Sequence, residues 1–267
     1  MPFDLDQPVR IGVQIAPQHA EYQTLRDTVM RLEELGVDIA FNWDHFYPLA
    51  GDRNGLHFEG WTMLAAWAEQ TERIQFGPLV TCNSYRNPDL LADMARTVDH
   101  ISAKGGEGRL VFGIGSGWAR HDYDEYGYDF GTVGSRLDDL AEALPRIRRR
   151  WGLLNPAPTR DIPVLIGGGG ERKTLRIVAE HADVWHSFSD AAELRRKLDV
   201  LSTWCERVER DPSEITVSVE PDRGQSNEQW DELYGLGARL FTTQITAPHY
   251  DWEAVRRLLS WRDTVNG

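Results

Sequence analysis

The chain has 267 residues, 41% of them hydrophobic and 27% charged, with a formal net charge of −13 at pH 7. This length supports one large core or two ordinary domains, and the acidic balance argues against general nucleic-acid binding, which calls for a basic surface. No apolar run approaches the roughly 18 to 20 residues that span a membrane, and the acidic start MPFDLDQPVR lacks a signal-like apolar core, so a cytoplasmic protein is expected.

In chain order, RIGVQIA (10–16) is the first β-branched run. YQTLRDTVMRLEELG (22–36) follows, with Leu25, Val29, Leu32 and Leu35 at helical spacing and Gly36 as a left-handed terminator. DIAFNWD (38–44) reads as the second strand, and the stretch FNWDHFYP then sets Asp44 beside His45 where that strand ends. IQFGPLVT (74–81) is the third strand; its internal Gly77-Pro78 disrupts the ladder and predicts a bend or bulge. Thr81, Asn83 and Arg86 then bring a hydroxyl, an amide and a cation to the strand's exit. NPDLLADMARTVDHIS begins a helix at Asn87, with Pro88 in its first turn.

The fourth strand, RLVFGIGSG (109–117), runs into GIGSGW, where Gly113, Gly115 and Gly117 permit close approach to the backbone, Ser116 offers a hydroxyl and Trp118 a packing or stacking face. His121 and Asp122 follow, and a solvated loop accounts for Asp122 as well as function does. SRLDDLAEALPRIRRRWG is helical, and the fifth strand PVLIGGG (163–169) leads into GGGGERKT. Backbone N–H groups at Gly168, Gly169 and Gly170, a helix N-terminus, and Arg172 and Lys173 together suit a phosphate or carboxylate. RKTLRIVAEHA and DWEAVRRLLSWRD are further helices, and ADVWHSF (182–188), ITVSVE (215–220) and ARLFTTQI (238–245) complete the strands.

Eight strands alternating with helices predict a (β/α)₈ TIM barrel as one α/β domain over residues 1–267, with an open doubly wound sheet as the alternative. The longest irregular pieces, 45–57 and 118–134, belong on the C-terminal face where barrel enzymes work. A polar pair such as Asp44 and His45 at that mouth points to a site more than one at the opposite end does. Other chemistries lack their signatures. GIGSGW misses the third glycine of a dinucleotide fingerprint and follows the fourth strand. Residues 113–117, GIGSG, place the serine one position too late for the GxSxG of a nucleophile elbow. No HExxH or His-x-His pair offers a metal site. Cys82 and Cys205 are far apart and suit a reducing compartment; Cys82 reads as a buried structural thiol before a nucleophile.

Taken together, RIGVQIAP, NWDHFYP, GPLVTCNSYRNPDLLADMARTVDHIS, GRLVFGIGSGW with YGYDFG, and PVLIGGGGERKTLRIVAEHADVWH resemble the luciferase-like monooxygenase superfamily. More narrowly they resemble its branch of oxidoreductases that use the deazaflavin coenzyme F-420. The resemblance runs over roughly residues 10 to 190, with LLSWRD near the end also in keeping. It implies a barrel, usually a homodimer, that holds a flavin-like ring at its C-terminal mouth. It makes Asp44 a contact to the ring and His45 its proton donor or acceptor. It places a non-prolyl cis peptide at Pro78–Leu79, with Thr81 following in the cofactor-contacting segment. Gly115, Ser116 and Gly117, with Trp118, line the ring and its side chain, and Gly168, Gly169 and Gly170, with Arg172, hold the phosphate. Trp118 stands where sugar-phosphate dehydrogenase relatives carry a glutamate, and the chain is short after the sixth strand; both argue against a sugar phosphate as substrate.

The reaction implied is hydride transfer between F-420 and a small organic molecule, with an imidazole handling the accompanying proton near neutrality. FMN-dependent monooxygenation is the alternative, because a flavin also presents a phosphate to the glycine turn. A cofactor-binding barrel without activity is the alternative from another class.

Overall fold

Residues 7–222, 224 and 226–267 are described by the structure, a computed structural model. The first six residues of the acidic N-terminal stretch lie outside them. Nine parallel strands occur among the described residues: β1 Arg10–Ile15, β2 Ile39–Asn42, β3 Gln75–Pro78, β4 Thr81–Cys82, β5 Phe112–Gly115, β6 Val164–Gly167, β7 Val184–Ser187, β8 Thr216–Val219 and β9 Ala238–Ile245. The helices are α1 Tyr22–Leu35, α2 Gly60–Gln70, α3 Pro88–Ala103, α4 Arg120–Tyr126, α5 Val133–Leu153, α6 Thr174–His181, α7 Ala191–Arg207, α8 Asn227–Gly235 and α9 Trp252–Asn266. None of them is long and apolar enough to cross a membrane.

The strands lie in the order β3-β2-β1-β9-β8-β7-β6-β5-β4. Closure comes from the other side of β3: Phe76 bridges Leu110 in parallel, with Phe76 N–H donating to the Arg109 carbonyl and Val111 N–H to that of Phe76. β3 and β4 are therefore two halves of one barrel strand, and the run IQFGPLVT is a single staves-worth of sequence broken in the middle. The expected eight-stranded barrel is present.

The break is a cis peptide between Leu79 and Val80, one bond later than the Pro78–Leu79 expected from the sequence. The reason lies in the ladder. Pro78 still pairs in register with Asn42, and Leu79 N–H donates to the Asn42 carbonyl at 2.7 Å, so the chain remains extended through Leu79 and departs only after it.

Alternation along the strands divides the apolar side chains between two layers. Ile39, Phe41, Leu79, Val111, Leu165 and Leu240 fill the barrel interior. Residues of the opposite parity, such as Ile11, Val13, Phe112 and Trp185, pack outward against the helices. Gly36 ends α1 in the left-handed conformation, φ 79°, and the Asn87 side chain caps α3 ahead of Pro88. The segment 118–134 departs from expectation, because it contains α4. Gly127 at φ 69° terminates that helix while Asp122 and Tyr123 are buried on its inner face. Its seven residues are too few for a clear apolar period; tertiary burial decides them.

Candidate active site

The strand ends open into a cavity of about 390 Å³ at the C-terminal mouth. Asp44, His45, Leu79, Thr81, Gly115, Ser116, Gly117, Trp118 and Gly168 all line it, so the structure gathers nine of the residues singled out from sequence. Pro78, Gly169, Gly170 and Arg172 do not line it. Pro78 is a ladder residue, and the other three belong to the adjoining turn before α6.

Asp44 is 1% exposed and almost wholly committed to its neighbours. Its Oδ2 accepts from Thr81 Oγ1 at 2.6 Å, from the Cys82 N–H at 3.1 Å and from Arg86 Nη1 at 2.6 Å. Its Oδ1 accepts from Arg86 Nη2 at 3.0 Å, and that nitrogen also reaches Glu59. Thr81 in turn accepts from the Trp61 indole N–H at 2.9 Å. The carboxylate thus ties the exit of β2 to the short segment β4 and neutralises a half-buried guanidinium. Its geometry is that of a brace for the cavity wall.

His45 is 8% exposed, and its Nδ1 lies 2.6 Å from Asp122 Oδ2. The same oxygen accepts from the Tyr85 hydroxyl at 3.0 Å, and Oδ1 takes the Phe46 N–H at 3.4 Å. Burial opposes the charge on Asp122, yet the hydrogen bond and charge of His45, with the donors from Tyr85 and Phe46, hold its carboxyl below the usual range. An ionised Asp122 accepts only, so Nδ1 carries a proton toward it, and Nε2 is the nitrogen of this cavity-lining ring that Asp122 does not engage. The ring is further fixed edge-on to Trp118 at 5.5 Å. The sequence left Asp122 open between a solvated loop and a function; the structure buries it against His45. The available signal was the acid four residues after Trp118 in a segment closed by Gly127.

The glycines of the fourth strand serve the protein before any ligand. A Cβ at Gly113 would fall 1.9 Å from the Pro78 carbonyl oxygen, and one at Gly115 would fall 2.8 Å from a Val80 methyl. One at Gly167 would fall 3.1 Å from the other Val80 methyl, and Gly117, at φ 82°, leaves room for the Tyr123 hydroxyl. These absences of side chain accept the displaced strand segment around Leu79–Val80, so that Val80 presents an apolar shelf to the cavity.

At the glycine turn the nearest cation is Lys197, from α7. A Cβ at Gly169 would lie 2.2 Å from Lys197 Nζ, so the ammonium packs directly against the turn. It is buried, 3.0 Å from Glu193 and 3.2 Å from Ser189 Oγ. Lys173, one of the two cations expected there, is instead turned to Asp138 at 2.7 Å, and Arg172 is exposed. Lys197 was invisible to a reading by adjacency, because it arrives from another helix.

The remaining floor is polar. Gln244 donates to Gln14 at 2.8 Å, and Gln14 donates to the Leu79 carbonyl at 2.6 Å, at the cis peptide itself. His186, on β7, completes this layer with Nδ1 2.9 Å from Ser218 Oγ. Full burial pushes its pKa down to about 4, so the ring is neutral near pH 7.

Comparison with known proteins gives the family and the fold. The model of the family described as luciferase-like monooxygenase matches residues 1–222. An F-420-dependent glucose-6-phosphate dehydrogenase of Amycolatopsis mediterranei is 27% identical over 193 residues, covering 65% of this chain and 54% of its own. Its counterpart from Gordonia bronchialis is 25% identical over 248 residues, 81% of this chain and 70% of its own. The chain spans about half the length of the first of these relatives. Among solved structures, an F-420-dependent secondary alcohol dehydrogenase in complex with an F-420–acetone adduct has a TM-score of 0.83 at 14% identity, over 96% of this chain and 99% of that one. An FMN complex of the oxygenating constituent of 3,6-diketocamphane monooxygenase from Pseudomonas putida has 0.63 at 18% identity, over 79% and 67%. At such identities the structural likeness speaks for the barrel alone. The family match, which spans most of the sequence, assigns the chain: it belongs to the luciferase-like monooxygenase family.

Proposed function

We propose that the protein is an oxidoreductase that transfers a hydride between coenzyme F-420 and a small organic substrate. The observation that carries this reading is His45, buried at the mouth beside the Val80 shelf and held through Nδ1 by Asp122 at 2.6 Å. A fixed, cavity-facing imidazole is what a redox reaction needs when a proton moves with each hydride. The F-420-dependent relatives support the choice of cofactor.

The residues present suit such a group. The shelf at Leu79–Val80 and the walls at Gly115, Ser116, Gly117 and Trp118 would hold a planar ring, and Gly168, Gly169 and Gly170 with Lys197 would hold an anionic tail, with Arg172 at its exposed end. The deazaflavin supplies the hydride chemistry when bound. The chain's own part is to brace the wall through Asp44, Thr81 and Arg86, exclude water, and move a proton at His45 Nε2. In this reading the unit is a single barrel over residues 1–267, acting as a homodimer in the cytoplasm, where the free, buried Cys82 and Cys205 remain reduced.

The second reading, an FMN-dependent monooxygenase, is favoured by the FMN-bound neighbour. Incubation with F-420 and a panel of small alcohols separates the two. Loss of the oxidised F-420 absorbance with any alcohol, without oxygen uptake, supports hydride transfer. Substrate-dependent oxygen uptake with reduced FMN, and none of the former, refutes it.

A further inference from the structure

The charge and polarity of the cavity define the kind of substrate it accepts, an inference that rests on the hydride-transfer reading above. Among the described residues no lysine or arginine lines the cavity; its carboxylate residues are Asp44, which is paired with Arg86, and Glu220. An anion drawn into it would lose its hydration and meet no cation in return. The rim is apolar. Trp118 and Phe188, both on the cavity, are 66% and 69% exposed, and Leu49 beside them is 40% exposed. Large exposed aromatic faces around a concave site are suited to covering a hydrophobic ligand.

Within these apolar walls one polar atom lacks a partner. His186 is 1% exposed, Ser218 satisfies its Nδ1, and its Nε2 is buried without a hydrogen bond. The Phe188 ring stands edge-on to the imidazole, centroids 5.0 Å apart at 86°. A buried nitrogen left unmatched is costly, and a ligand oxygen that pairs with it removes the cost. A neutral imidazole answers a neutral group; it offers no ion pair.

We propose that the site takes an uncharged, largely apolar small molecule carrying one hydroxyl or carbonyl oxygen, and that His186 Nε2 is the atom that recognises this oxygen once Phe188 turns aside. His45 handles the proton, and His186 determines specificity.

The test is calorimetric titration of the protein, with and without F-420, using three probes of one shape: toluene, benzyl alcohol and benzoate. The wild type is expected to bind benzyl alcohol at least about 10-fold more tightly than benzoate. His186→Phe, which keeps a ring of similar size, is expected to weaken benzyl alcohol by about 3- to 10-fold, the range for one lost hydrogen bond, and to leave toluene unchanged. Retained toluene binding also shows that the variant is folded, and F-420 affinity serves as a second check. Benzoate binding as tightly as benzyl alcohol, no binding of benzyl alcohol, or His186→Phe weakening toluene and benzyl alcohol alike would each overturn the proposal. So would a loss confined to F-420 affinity, which would assign the nitrogen to the cofactor. Selective benzyl alcohol binding by a wild type that ignores F-420 supports the inference while refuting the hydride-transfer reading, so the two failures are distinct.

Discussion

The two sides of the barrel mouth are built on opposite plans. On the side of β2, β4 and α4 the carboxylates are fully engaged, although the amide oxygens of Asn42 and Asn83 nearby lack partners: Asp44 accepts four hydrogen bonds, and Asp122 joins His45, Tyr85 and the Phe46 backbone. On the side of β6 and β7, His186 keeps a bare Nε2 and the glycine turn carries Lys197 packed against it. The first side is over-determined, which fixes the position of His45. The second leaves His186 Nε2 unpaired, while Lys197 is held by Glu193 and Ser189.

The largest effect should come from breaking the rigid wall. Asp44→Ala removes the acceptor for Thr81, Cys82 and Arg86 and strands a half-buried guanidinium with Glu59 alone. A stability loss of about 3 to 5 kcal/mol is expected in urea unfolding, the range for a buried pair losing one partner. A loss within 1 kcal/mol would show that the brace is slack. Next, His45→Ala should lower turnover roughly 10²-fold or more while cofactor affinity stays nearly intact. Asp122→Asn should lower turnover less and shift its pH profile, since it unseats the imidazole's proton without removing the ring. Unchanged turnover in the His45 variant would return it to a capped loop residue.

How much of this contrast was legible in the sequence follows from how each part is encoded. The eight strands, the caps at Gly36 and Asn87 and the Asp44–His45 pair are local, written in period, turn residues and adjacency. The side-chain partners are not. Asp122 reaches His45 across 77 positions, and Lys197 reaches the glycine turn from α7, so neither pairing leaves a sequence pattern. The glycines of GIGSGW were visible, but their first service, to make room for Pro78 and Val80, depends on where the neighbouring strand bulges. The cis bond was placed one residue early because the Asn42 ladder holds the chain extended through Leu79.

The open wall yields smaller effects. Lys197→Ala should weaken the anionic cofactor about 10-fold, in keeping with a lost hydrogen bond to a charged group, with stability little altered; equal affinity for variant and wild type would remove Lys197 from the site. The smallest expected effect is on pH. Burial depresses His186 to about 4, and burial, with His45 nearby, depresses His57 to about 4 as well. Both are lowered from 6.5, so between pH 6.5 and 4 the unfolded chain binds protons that the folded chain refuses. Stability should therefore fall as pH drops through that window, by at most about 1.4 kcal/mol per pH unit for each histidine. His186→Phe should flatten the slope; an unchanged slope would mean that this ring titrates normally.

The central claim is that this mouth holds a deazaflavin, and fluorescence titration of the protein with F-420 and, separately, with FMN tests it most directly. The account predicts saturable binding of F-420 that is tighter than that of FMN. Tighter binding of FMN, or no saturable binding of F-420, would contradict it.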